Sequence, residues 1–176
     1  MTTNFPASAD SYSDVTNSVT VVDDAIINNL QDAMEAIQAF LLEGGTWIPA
    51  ITGSVQGPDT ITYSTQIGYY RKFGDLMFVT CDVDIATFTL GSGSGNLHIT
   101  GLPSAAKNVT NLDQVLNCNY NALNIDAASE DIGAQVPYNK AYIRIVENKD
   151  SANASLISLS DCSTGFFQVQ GWILTV

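Results

Sequence analysis

An alternation of apolar and polar side chains with a period of two residues runs through most of the chain after residue 60. It is clearest in residues 76–85, where the polar set of alternate positions includes Asp82 and Asp84. The apolar set consists of Met77, Val79, Cys81, Val83 and Ile85. Because successive side chains of a β-strand point to opposite faces, the apolar set predicts the core face of a half-buried strand.

Turn signals separate this run from several similar ones. They are Gly57-Pro58-Asp59, Gly74-Asp75, Gly91–Gly95, Gly101-Leu102-Pro103 and Asn148–Ser151. Weaker alternating runs occupy residues 114–122, 141–146, 154–159 and 166–176, whereas 124–139 is interpreted as a polar connection. No helical pattern lies between the strands, so the fold class is mainly β. We predict an antiparallel β-sandwich, jelly-roll-like, over residues 46–176, with Trp47 plugging its base.

A helical period replaces the alternation in residues 21–42. The apolar positions are spaced three, four, three and four, as in the a/d seam of a coiled coil. They are Ile27, Leu30, Met34, Ile37 and Leu41. Thr20 and Asp23 supply start signals, and Gly44-Gly45 supplies the stop. This seam either packs on the chain's own β-domain or joins copies of the chain. Two heptads are marginal alone, so joining copies would require the β-domains to touch as well.

Residues 1–19 are polar and contain few aliphatic side chains. Such a segment cannot bury enough apolar surface to fold by itself. Its anchors are Phe5, Pro6 and Tyr12, which favour an extended arm that docks on a partner over a disordered tail. The predicted organisation is therefore an arm at 1–19, a helical stalk at 20–45 and a β-domain at 46–176.

The charge balance limits the partners. With 18 acidic and 6 basic residues the net charge is −12, which argues against nucleic acid and against anionic membranes. The first residues lack the basic and apolar regions of a signal peptide, so we expect folding in the cytoplasm. Cys81, Cys118 and Cys162 are widely spaced and are predicted to be buried, reduced thiols.

Residues capable of catalysis are sparse. His98 is the only histidine, and it lies in a short strand beside a glycine-rich loop. Asp82 and Asp84 share one strand face and could serve a glycosidase or a Ca²⁺ site, but a solvated face is the simpler interpretation. We therefore predict no catalytic residue, no cofactor and no bound metal. The aromatic side chains Tyr120, Tyr138 and Tyr142 form a candidate ligand face, since tyrosines can stack on sugar rings.

Four groups of residues, in their order along the chain, resemble small bacteriophage virion proteins of the fibre, tail-tip and head-decoration kind. They are Asn4–Tyr12; Asn29–Ala33 with Ala36–Gln38; Gly45–Pro49 with Tyr63–Leu76 and Gly101–Pro103; and Phe167–Thr175. The resemblance implies a virion-bound homotrimer: an arm held by capsid or tail proteins, a helical trimerisation stalk and a displayed β-domain. It implies a binding protein rather than an enzyme, with a host-surface glycan as a candidate ligand.

Two other classes of protein stay open. A polysaccharide-active enzyme would use Asp82 and Asp84, so Asp82→Asn would abolish turnover of a glycan. A free carbohydrate-binding module would not need residues 1–43, so their deletion would leave glycan binding intact.

Overall fold

The computed structural model describes residues 24–124, 129–149 and 155–176. One helix, α1 (Asp24–Leu42), precedes ten strands in these ranges. The strands are β1 (Gly44–Trp47), β2 (Ala50–Gly53), β3 (Thr60–Phe73), β4 (Leu76–Thr89), β5 (Leu97–Thr100), β6 (Gln114–Tyr120), β7 (Ser129–Val136), β8 (Tyr142–Lys149), β9 (Ser155–Leu156) and β10 (Gly165–Leu174). The predicted arm anchors Phe5, Pro6 and Tyr12, and the helix start signals Thr20 and Asp23, lie outside the described residues.

All described strand pairs are antiparallel, and they join into one sheet. The order is β1-β3-β4-β10-β6-β7-β8-β5-β2, with β9 added to β8. The sheet curls into a half-barrel, so that side chains from both of its ends meet in one apolar core. The prediction of a mainly β, antiparallel fold after one helix is confirmed.

The alternation in residues 76–85 predicts the core face correctly. Met77, Val79, Cys81, Val83 and Ile85 are all buried, and their neighbours are not. In β10, which pairs with both β4 and β6, Phe167, Val169 and Ile173 are buried in the same core. The faces of these two long strands are thus set by apolar periodicity.

Trp47 closes one end of the core, as the sequence predicts. Its side chain is buried, and the indole N–H donates to the carbonyl oxygen of Tyr69 at 3.3 Å. Gly68 lies opposite Trp47 in the β1–β3 pair. A Cβ at Gly68 would lie 2.4 Å from the indole ring, so only glycine leaves room for this tryptophan.

The polar connection predicted for residues 124–139 is wrong. Residues 129–136 form β7, which pairs with β6 and β8 and links the two halves of the sheet. Ile132, Ala134 and Val136 are buried, so the period of two is present. Alanine contributes little to a hydrophobicity pattern, and Ala134 has polar neighbours. The alternation in β7 is therefore weak in the sequence.

The three cysteines are free thiols, with Cys81 and Cys162 buried and Cys118 half-buried. Burial raises the pKa of each thiol to about 12. These side chains are therefore protonated, unreactive packing groups at neutral pH.

Candidate functional site

The apolar seam of α1 lies on the surface. Its exposed fractions are 44% for Ile27, 50% for Leu30, 60% for Met34, 42% for Ile37 and 48% for Leu41. Single exposed apolar side chains are common on protein surfaces, but five of them in one continuous stripe are unusual. The stripe is therefore an apolar surface that no described part of the chain (24–124, 129–149 and 155–176) covers.

A different side of the helix faces the β-domain. Ala33, Ala36 and Phe40 are half-buried, and the Phe40 ring lies 3.2 Å from where a Cβ of Gly74 would stand. Gly74 has φ +58° in the turn between β3 and β4, a conformation that favours glycine. At 3.6 residues per turn, the centre of the seam lies about 110° around the axis from the side that faces the sheet. The helix therefore packs on its own β-domain through this side, while the seam lies on another side and is exposed.

A polar groove of about 520 Å³ crosses the outer face of the sheet. Four neighbouring strands, β3, β4, β10 and β6, build its floor from two rows of residues in register. The first row is Ile67, Asp82, Gln168 and Asn119, and the second is Tyr69, Thr80, Gln170 and Asn117. One carboxylate, four amides and a hydroxyl thus converge on one shallow site.

Hydrogen bonds hold part of the first row in place. The Gln168 side-chain amide N–H donates to a carboxylate oxygen of Asp82 at 3.2 Å. The Asn119 amide N–H donates to the Gln168 side-chain oxygen, also at 3.2 Å. These contacts fix the orientation of the Gln168 amide, and they leave further donors and acceptors on all three side chains directed to solvent.

One wall of the groove is apolar. The Tyr69 side chain is 52% exposed and Ile67 is 39% exposed, both on β3. None of the residues that line the groove is basic. A surface with an exposed ring beside fixed amides suits a neutral, hydroxyl-rich ligand better than an anionic one.

The two carboxylates of the enzyme alternative lie side by side on one strand. Asp82 and Asp84 share the outer face of β4, as predicted, and Asp82 lines the groove. Asp84 lies two residues further along and does not line it. The site therefore holds one carboxylate, with Gln168 as its hydrogen-bond partner.

Of the three tyrosines of the predicted ligand face, Tyr120 lies in β6, whereas Tyr138 and Tyr142 both lie at the turn between β7 and β8. Tyr120 packs partly against the core from β6, and Tyr138 is exposed after β7. Tyr142, on β8, stacks on His98 with ring centroids 4.1 Å apart. Burial and the nearby Arg144 guanidinium lower the pKa of His98, so the imidazole is neutral at pH 7.

Among the polar groove residues, sequence reasoning considers only Asp82 for a site. The others lie at alternate strand positions and are not predicted to act: Thr80, Asn117, Asn119, Gln168 and Gln170. Their convergence depends on the register between strands far apart in sequence. No group of three or more metal-ligating side chains occurs in the described ranges. Over the same ranges, none of the helical structure is long and apolar enough to cross a bilayer.

No protein-family model matches this chain, and no curated protein sequence matches it either. Among solved structures, the fold is similar to part of the crystal structure of the Dettilon tailspike protein, with a TM-score of 0.56 and 20% sequence identity. The match covers 76% of this chain but only 24% of the tailspike chain, so the protein spans about a quarter of that length. The similarity establishes a shared fold over most of this chain.

Proposed function

We propose that this chain is a bacteriophage virion structural protein, a homotrimer that displays its β-domain on the particle. Residues 1–19 anchor it to capsid or tail proteins, residues 20–45 form the trimerisation stalk and residues 46–176 form the displayed domain. The exposed seam of α1 carries the proposal, because its five apolar side chains face away from the chain's own sheet. The fold shared with a tailspike protein supports a place on the tail.

The free energies involved indicate that the helix is not the sole contact between copies of the chain. Covering five half-exposed aliphatic side chains recovers roughly 4–8 kcal/mol per copy. Association costs about 4–15 kcal/mol in lost translational and rotational freedom. The seam thus comes close to offsetting that cost, and a contact between β-domains completes the assembly. The number three comes from the resemblance to phage fibre proteins.

Antibodies raised against residues 46–176 test the placement on the particle. They are expected to label purified particles of the phage that encodes the chain, at the tail, in electron micrographs. Label on the head would instead indicate a head fibre or decoration protein. Particles that carry no label, while the chain is present in the infected cell, would contradict a virion role.

A second function, adhesion to a neutral host-surface saccharide, is favoured by the polar groove. Sugar hydroxyls need donors and acceptors in fixed places, which Asp82, Gln168 and Asn119 supply. Sugar rings also stack on exposed aromatic faces, and Tyr69 stands at the groove wall. We propose binding without turnover, in line with the resemblance to virion proteins that act by binding.

Replacing Gln168 with alanine is expected to weaken saccharide binding about tenfold. The variant loses the hydrogen bonds that the Gln168 amide is proposed to make to the saccharide. Two such bonds of roughly 0.5–1.5 kcal/mol each account for this loss. Glycan-array screening would identify the saccharide, and calorimetry would measure Kd for the native and variant chains. Gln38→Ala, which removes an exposed amide from α1, is the matched control and leaves Kd unchanged. Equal binding by both variants would remove the groove from the proposal.

A further inference from the structure

An apolar patch lies beside the groove on the same outer face of the sheet. We call it the Trp172 patch; it consists of Phe73, Leu76, Phe78, Trp172 and Leu174. Leu76 pairs with Phe73 and with Leu174, and Phe78 pairs with Trp172. Three neighbouring strands, β3, β4 and β10, therefore present five large apolar side chains together.

The patch is open to solvent and is preformed. Trp172 is 48% exposed, Leu76 is 39% exposed and Leu174 is 37% exposed. The Trp172 indole leans on Phe78 and Phe73, with ring centroids 5.2 and 6.3 Å away. A tryptophan held by neighbouring rings loses little freedom on binding, which is a property of residues that dominate interface energies.

Charged groups surround the patch but do not enter it. Lys107, whose backbone N–H donates to the Leu174 carbonyl oxygen, pairs with Asp75. Arg71 follows on the same face, opposite Phe78 in the β3–β4 pair. An apolar centre with a polar rim is the usual anatomy of a protein interface.

The charge distribution indicates what covers the patch. The chain carries a net charge of −12, so copies repel one another over most of their surfaces. Arg71 and Lys107 are two of its six basic residues, and both flank the patch. This region is consequently where two like-charged copies can approach with little repulsion.

The patch is also continuous with the stalk. Its members Phe73 and Leu76 bracket the β3–β4 turn, and Gly74 in that turn contacts Phe40 of α1. The helix therefore joins the sheet at the end where the patch lies. Copies that associate through the seam bring their patches close together.

We propose that the Trp172 patch is the second contact between copies of this chain, covered by a neighbouring copy when the helices associate. The inference rests on the proposed trimer. It identifies the β-domain surface whose contact would add to that of the short helical seam. A capsid or tail protein as the occupant would leave the patch open in the isolated assembly.

Hydroxyl-radical footprinting read by mass spectrometry tests the contact without changing the patch. The native chain is compared with the seam variant Leu30→Glu/Met34→Glu at the same micromolar concentration. Oxidation of Trp172 is expected to be at least threefold slower in the native chain, while that of buried Trp47 stays equal. Trp172→Gln is expected to raise the concentration of half-dissociation at least tenfold. Val55→Gln, which changes an exposed apolar side chain near the opposite end of the β3–β4 hairpin, leaves it unchanged.

The outcomes separate the two proposals. An assembled native chain in which Trp172 is oxidised as fast as in the seam variant would overturn the patch and leave the trimer standing. The patch would also be overturned if Trp172→Gln had the same concentration of half-dissociation as the native chain and an unchanged circular dichroism spectrum. A native chain that is monomeric at micromolar concentration would overturn both.

Discussion

Replacing Leu30 and Met34 with glutamate is expected to convert the protein to monomers that keep a native β-domain. Both side chains are at least half exposed, so the isolated chain tolerates charge there. In a trimer the change would bury six carboxylates in one seam, and each buried ion costs several kcal/mol. The concentration of half-dissociation is expected to rise at least 1,000-fold, or about 4 kcal/mol.

Sedimentation velocity over a range of concentrations would measure this change, with near-ultraviolet circular dichroism as the check on the β-domain. The control is Asn28→Glu/Ala39→Glu, which adds the same two charges to the same helix at exposed positions off the seam. The control is expected to sediment like the native chain. If the two double variants sediment alike, the seam does not join copies.

The second large effect is on stability. Phe167→Ala is expected to destabilise the fold by about 3–5 kcal/mol, because it removes a large buried ring and leaves a cavity. Phe167 is fully buried at the centre of the sheet, in β10 between β4 and β6. Urea unfolding at fixed protein concentration, followed by circular dichroism, would measure the loss.

Phe166→Ala is the matched control, since the same residue type one position earlier lies on the outer face. Its expected loss is below about 1.5 kcal/mol, since a partly exposed ring recovers less burial. A larger loss for Phe166 than for Phe167 would mean that β10 is shifted by one residue, because such a shift exchanges the two faces.

Periodicity predicts the long strands well. In β4 as far as Ile85, and in β10, every inward position is large or β-branched apart from Cys81, Gly165 and Gly171, so the alternation identifies the core face directly. It fails for β7, where Ala134 is buried but adds little to an apolar pattern. Periodicity therefore does not predict the strand that links the two halves of the sheet.

The surfaces proposed to act are only partly visible in the sequence. The sequence predicts the helical seam because its spacing lies within one element. Its direction relative to the sheet is known only from the structure, where the Phe40 ring lies beside Gly74. The groove and the Trp172 patch are not local. Gln168 is 86 residues from Asp82, and only strand order and register bring them together.

The native mass of the 176-residue chain at micromolar concentration decides whether its copies associate. A trimer gives a dominant species at three times the 18.8 kDa chain mass, which the Leu30→Glu/Met34→Glu variant loses. A single species at 18.8 kDa for the native chain would contradict it.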